Sequence, residues 1–196
     1  MPYSTQIIIL AKSKKIRKYC IAGKEINTKE WIRPIKDSPF SNSELRNYAN
    51  ISRSLEVFDV LEMTFLKKSP EFCQPENAIV DMNIEWNFIK SLPKNEIENF
   101  VDENEKNLLK IVQNDFIDSE ALKKLNIKNS LQLVRITPDN NAIIFWEQAY
   151  QNDYFKPRLK FIYNDIEFNL SITDPNLGIS AEKLKTKPLT NAYITF

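Results

Sequence analysis

Between Arg158 and Ile172 the side chains alternate apolar and polar, Ile162 excepted, in two runs that meet at Asn164-Asp165. A two-residue turn there sets Tyr163 against Ile166, Phe161 against Phe168 and Leu159 against Leu170, which makes one face of a β-hairpin wholly apolar. The other face carries Arg158, Lys160, Asn169 and Ser171 and reads as wet and mildly basic. Side-chain parity of this kind fits a half-buried sheet and excludes a helix, whose period is 3.6.

The same period recurs in Tyr19 to Ile35, YCIAGKEINTKEWIRPI. Tyr19 and Ile21 point one way with Cys20 and Ala22 opposite, while Trp31, Arg33 and Ile35 share a face with Ile32 opposite. A tryptophan beside an arginine on one strand face suits a nucleotide, because the indole stacks on a base and the guanidinium forks onto a phosphate or a base edge. The same spacing equally suits a packed indole and an arginine paired with a nearby carboxylate, the commoner arrangement for large aromatics on strands.

Other strand-length segments follow. Gln6 to Ala11 is a continuous apolar run expected to be buried on both faces, and Lys12 to Lys18 is a basic connection that projects as a charged tip if the flanking strands pair. Glu56 to Leu66 has apolar residues on both faces and is expected to bend or bulge and to serve two sheets. A short helix is expected near Ser43 to Tyr48, capped by Ser41 or Ser43. Ser69 to Asn77, SPEFCQPEN, reads as an ordered loop in which Gln74, Glu76 and Asn77 suit either base-edge recognition or loop backbone. Asn83 to Leu92 is ambiguous between strand and helix. Pro93 opens a helix over Lys94 to Val101, and Asp118-Ser119-Glu120 opens a second. Leu131 to Thr137 and Ala142 to Glu147 flank a turn at Pro138 to Asn141, and Ala192 to Phe196 is placed to close the second sheet. Two groups of strands around a helical, acidic middle give a mainly β fold of two small barrels with short helices. The boundaries expected are 1–92 for the first barrel, 93–129 for the acidic connector and 130–196 for the second barrel.

Composition removes several chemistries. There is no histidine in the 196 residues, so a Ser-His-Asp triad and histidine-ligated zinc are excluded. Two glycines are too few for a Walker or Rossmann phosphate loop. Cys20 and Cys73 lack the pairing of a thiolate metal site and read as reduced thiols in a cytoplasmic protein. No apolar stretch has the length of a signal peptide core or a membrane span. No cofactor and no metal are expected. The net charge of +1 hides a polarity: residues 1–36 sum to +7 and residues 95–120 to −6. Screening confines each field to about 8–10 Å, so a basic end attracts phosphate whatever the total.

Six motifs, ILAKS at Ile9 to Ser13, YCIAG at Tyr19 to Gly23, EWIRPI at Glu30 to Ile35, FDVLEM at Phe58 to Met63, QPEN at Gln74 to Asn77 and FNLSITDP at Phe168 to Pro175, resemble the bacterial dual OB-containing family. The resemblance implies two tandem OB-like barrels and nucleic-acid binding, DNA or RNA, with a part in defence against phage or other foreign DNA, and it carries over no enzymatic activity. It singles out Lys12, Cys20, Trp31, Arg33, Gln74, Glu76, Asn77 and Asp174. The sequence departs from the family pattern in its glycine-free 13–18 connection and in Asn164-Asp165, where Asn-Gly is the more comfortable turn.

Three functions follow as expectations. The first is a non-catalytic, single-strand-preferring nucleic-acid module using Lys12, Lys14, Lys15, Arg17, Lys18, Trp31, Arg33, Gln74, Asn77, Arg158 and Lys160. The second is a histidine-independent enzyme or small-nucleotide receptor with a pocket of Lys12, Cys20, Arg33, Glu76 and Asp174, in which a lysine beside Cys20 activates the thiol; Cys20 is more simply a small buried residue. The third is an adaptor for a protein partner, using the acidic segment.

Overall fold

The computed structural model describes residues 1–15, 18–102, 112–113, 116–117, 129–148, 155–175, 177 and 185–195, with backbone alone at 15, 112–113 and 116–117. The chain divides into two compact units, one of Met1–Asp102, Lys128–Leu133 and Thr195–Phe196, the other of Glu103–Ile127 and Val134–Ile194.

In the first unit β1 (Tyr3–Lys15), β2 (Lys18–Glu25), β3 (Trp31–Ile35), β4 (Asp59–Lys68) and β5 (Asn77–Val80) run in the order β1-β2-β3-β5-β4, and β1 pairs again with β4 to close a barrel. Only β3 and β5 are parallel, and α1 (Asn42–Tyr48) lies between β3 and β4. This is the strand order of an OB barrel. One edge of β4 lies along β1, while its other edge is shared by β6 (Asn87–Ser91), opposite Asp59 to Glu62, and β5, opposite Phe65 to Lys68. The register shift at Phe65/Lys67 is a bulge of β4 itself, as its two-faced apolar pattern leads one to expect, while the shift at Val60/Leu61 places the extra residue, Ile89, in β6. The ambiguous segment after Asn83 resolves as the strand β6.

The barrel core is Ile7, Ile9, Ile21, Ile32, Leu61, Met63, Phe65 and Val80, joined by Phe40, Leu45 and Trp86. The helix α1 places Leu45 there because Ser41 fixes its start: the Ser41 hydroxyl accepts from the Glu44 N–H, and the Glu44 carboxylate accepts from the Ser41 N–H at 2.7 Å. Tyr48 and Phe40 then pack on Trp86 with ring centroids 5.5 and 5.6 Å away. A 3-10 helix spans Lys94–Phe100, where a helix opened by Pro93 is expected.

In the second unit β7 (Val112–Gln113) and β8 (Phe116–Ile117) form a two-residue pair, and β9 (Leu133–Ile136), whose first residue belongs to the first unit, precedes a 3-10 turn at Pro138–Asn140. The helix expected from Asp118 lies outside the described residues. Four antiparallel strands, β10 (Ile143–Gln148), β11 (Phe155–Tyr163), β12 (Ile166–Ser171) and β13 (Lys187–Pro188), run in the order β12-β11-β10-β13. That order repeats β3-β2-β1-β4 of the first barrel, so β11 and β12 stand where β2 and β3 stand. The hairpin has the register its parity dictates, with Tyr163 opposite Ile166, Phe161 opposite Phe168 and Leu159 opposite Leu170. Asn164 and Asp165 both have positive φ, 50° and 63°, the signature of a type I′ turn. Phe161 and Phe168 are buried and stack at 5.1 Å. The last strand departs from expectation: β14 (Ala192–Thr195) does not join this four-stranded sheet but pairs with β9 in a separate two-stranded sheet.

Candidate functional site

In an OB barrel the outer face of the second and third strands is the usual ligand platform, with the loops after strands one and four beside it. Parity on β2 and β3 turns Ile21 and Ile32 into the core and Lys24, Trp31 and Arg33 outward, with Lys24 directly opposite Trp31. Yet Lys24 is 2% and Trp31 4% exposed, because the chain itself lies over this face. Lys24 Nζ donates to the Phe100 carbonyl at 2.8 Å and to Asp102 Oδ1, while Trp31 Nε1 and the Leu133 N–H donate to Asp102 Oδ2 at 3.1 and 2.7 Å. Arg33 Nη2 lies 2.8 Å from the fully buried Glu76 carboxylate and 3.0 Å from Ser130 Oγ, which also donates to Glu76 at 2.5 Å. The expected aromatic-and-arginine surface is therefore occupied by carboxylates of the same chain, and Trp31 has no face left for a base. Nothing local marks Asp102 or Ser130 as the partners, which lie 71 to 97 residues from Lys24, Trp31 and Arg33.

The expected Lys12–Cys20 pocket is not assembled either. A bulge in β1 between Ile9 and Ala11 shifts the pairing so that Lys12 faces Ile21 and Ser13 faces Cys20. Lys12 thus points to the core side of the sheet, where it is 9% exposed, donates to the Leu55 carbonyl at 2.5 Å and sits 5.2 Å from the Tyr19 ring centroid. Cys20, on the opposite side of the sheet, is exposed rather than the small buried residue expected. Asp174 belongs to the other unit, where it is exposed and its carbonyl accepts from the Leu177 N–H.

The loop between β4 and β5 is ordered by its own backbone. Glu71 and Gln74 exchange N–H to carbonyl hydrogen bonds at 3.1 and 3.0 Å, and Ser69 N–H donates to the Asn77 carbonyl at 2.8 Å. Asn77, 2% exposed, donates from Nδ2 to Gln74 Oε1 at 3.1 Å, so both amides hold the loop instead of presenting base-reading edges. What the loop presents is Phe72, 57% exposed, with the exposed Cys73 beside it. A phenylalanine between Pro70 and Pro75 was a legible signal that parity reasoning passes over.

Internal pairing also thins the basic end. Lys12, Lys24 and Arg33 are engaged as above, Lys29 lies 3.9 Å over the Phe100 ring and Lys36 is 3.1 Å from Glu44. The strands β1 and β2 run on to Lys15 and Lys18, and at their tip Lys14 and Lys18 are exposed and make no ion pair among the described residues. The Lys15 side chain and Arg17 lie outside those residues.

On the second unit, Lys156, Arg158, Lys160 and Ile162 share the outer face of β11, and Glu167, Asn169 and Ser171 that of β12. Arg158 is not wet: it is 6% exposed, with Nε 3.1 Å from Asn169 Oδ1, Nη1 2.9 Å from Ser171 Oγ and Nη2 3.0 Å from the Asn169 carbonyl. Lys160 lies 2.9 Å from Glu167, both half open to solvent, and Lys156 is exposed.

A family model described as the dual OB-containing domain, DuOB, matches residues 5–196. The chain belongs to this family. The closed barrel of the first unit and the repeated strand order of the second are the two OB-like units that the family's description names. No curated protein matches the chain. A solved structure described as p202 HIN1 in complex with 12-mer dsDNA is 12% identical, with 98% of this chain and 91% of that chain covered and a TM-score of 0.32. Among the described residues no helix is long and apolar enough to cross a membrane.

Proposed function

We propose that this DuOB protein is a non-catalytic nucleic-acid-binding module that holds the phosphate backbone with the β1–β2 tip of its first barrel and prefers single strands. The observation that carries the reading is the tip itself. Four cations, Lys14, Lys15, Arg17 and Lys18, lie within five residues at the loop position that OB barrels commonly use for oligonucleotides, while the other cations of the amino end are engaged internally. The β11–β12 face, equivalent in strand order to the closed β2–β3 face, supplies a second, weaker contact through the exposed Lys156, with Lys160 beside Glu167 and Arg158 fixed by Asn169 and Ser171. A place in bacterial defence against foreign nucleic acid fits such a module.

The test is charge reversal of the tip in a Lys14→Glu, Lys15→Glu, Arg17→Glu, Lys18→Glu variant, with oligonucleotide affinity followed by fluorescence anisotropy. The expected result is a loss of at least about tenfold at low salt and a shallower dependence of affinity on salt, since each lost phosphate contact removes roughly 0.7–0.9 from the slope. Full affinity in the variant would overturn the tip as the backbone contact. A Lys156→Glu, Lys160→Glu variant tests the second surface in the same way.

A further inference from the structure

The geometry points to Phe72 as a stacking anchor for an unpaired nucleic-acid base, an inference that rests on the nucleic-acid reading above and gives single-strand preference a physical source. Phe72 and Cys73 are the two tip residues of a tight turn whose ends, Glu71 and Gln74, are bonded to each other in both directions. The turn is braced below by the Ser69–Asn77 backbone bond and the Asn77–Gln74 amide bond, with a proline on each side, and neither tip residue has a positive φ. The ring is thus held in water on a rigid support, 57% exposed, when a polar residue would satisfy the turn equally well. Rigidity matters because little ordering entropy remains to oppose binding.

The surroundings suit an anionic ligand that carries a flat ring. Lys67 and Lys68, both exposed, end β4 immediately before the loop, and Lys68 lies 3.4 Å from the equally exposed Glu30, a pair that solvent largely screens. Antiparallel β1 and β4 put this loop at the opposite strand end from the β1–β2 tip, so the two form separate contacts along the first barrel. A base must leave its stack to meet an aromatic ring in this way, which costs a duplex a few kcal/mol of unstacking and a single strand much less, so Phe72 favours the single strand.

The measurement uses the full chain with a short mixed-sequence single-stranded DNA and its duplex. Phe72→Ala is expected to weaken single-strand binding by about tenfold and to leave duplex binding unchanged, while Phe72→Trp keeps or strengthens single-strand binding. Cys73 supplies a readout that needs no change in affinity: the single strand is expected to slow its alkylation in the wild type and not in Phe72→Ala, with peptide mapping separating it from Cys20. Single-strand affinity within twofold of wild type in Phe72→Ala, with Cys73 alkylated equally fast with and without DNA, would overturn the anchor and leave the nucleic-acid reading standing. Equal losses for single strand and duplex would also overturn it. Failure of the wild type to bind either form would instead overturn the nucleic-acid reading, and the anchor with it.

Discussion

Asp102 organises more of the first barrel's outer face than any other single residue, since Lys24, Trp31 and the Leu133 N–H all converge on its carboxylate. Removing it leaves a buried ammonium with the Phe100 carbonyl but no counter-charge, and a buried indole N–H without its acceptor. Asp102→Ala is therefore expected to destabilise by about 3–5 kcal/mol, and Asp102→Asn by less because one amide oxygen remains to accept, as measured by urea unfolding. Gly23 is constrained differently: a Cβ there would run into the Ile8 carbonyl oxygen of the neighbouring strand. Gly23→Ala is expected to cost about 1–3 kcal/mol in the same assay. The parity of Tyr19 to Ile35 revealed which residues point outward but not what covers them, because the covering groups are distant in sequence. The Ile9/Ala11 bulge was equally hidden, and one inserted residue is enough to move Lys12 from beside Cys20 to the far side of the sheet.

Elements show where local rules suffice. The α1 start is written in Ser41 and Glu44, and Ser41→Ala is expected to cost about 1 kcal/mol by thermal unfolding. The Ser41 N–H and hydroxyl, with Lys36, hold the Glu44 carboxyl down to about 2 from its ordinary 4.5 against the opposing effect of burial. Burial alone would raise Asp59, but the Arg53 fork at 2.8 and 2.6 Å, the Ser91 hydroxyl and the Glu56 N–H outweigh it and hold it below its ordinary value. Both carboxyls are more acidic folded than unfolded, so their stabilisation is complete above the ordinary carboxylate range and is lost as pH falls through the folded values, for Glu44 toward about 2. Unfolding free energy is expected to fall on acidification below the ordinary carboxylate values, and Ser41→Ala is expected to flatten that fall. The β11–β12 hairpin was fully legible, since turn length and parity together fix the register, and Asp165→Gly is expected to stabilise it by about 0.5–1 kcal/mol because φ is positive there. The pairing of β14 with β9 was not legible, since short polar-edged strands carry no mark of their partner.

Across the whole molecule, two OB-like strand orders could be inferred from the succession of short strands and from six motifs, and the family match extends over nearly the full chain. Charge was legible only as a sum. The +7 of the amino end gives way, once Lys12, Lys24, Arg33 and Lys36 are accounted for by their partners, to the basic run of Lys14, Lys15, Arg17 and Lys18 in the sequence. Binding governed by such a run must weaken steeply with salt, and binding that also stacks a base must discriminate strand type. The decisive measurement is the anisotropy of fluorescent single-stranded and double-stranded DNA and RNA titrated with nuclease-treated protein over a series of salt concentrations. Single-strand affinity that falls with salt and exceeds duplex affinity is the predicted result, and absence of binding to every form at low salt would contradict the account.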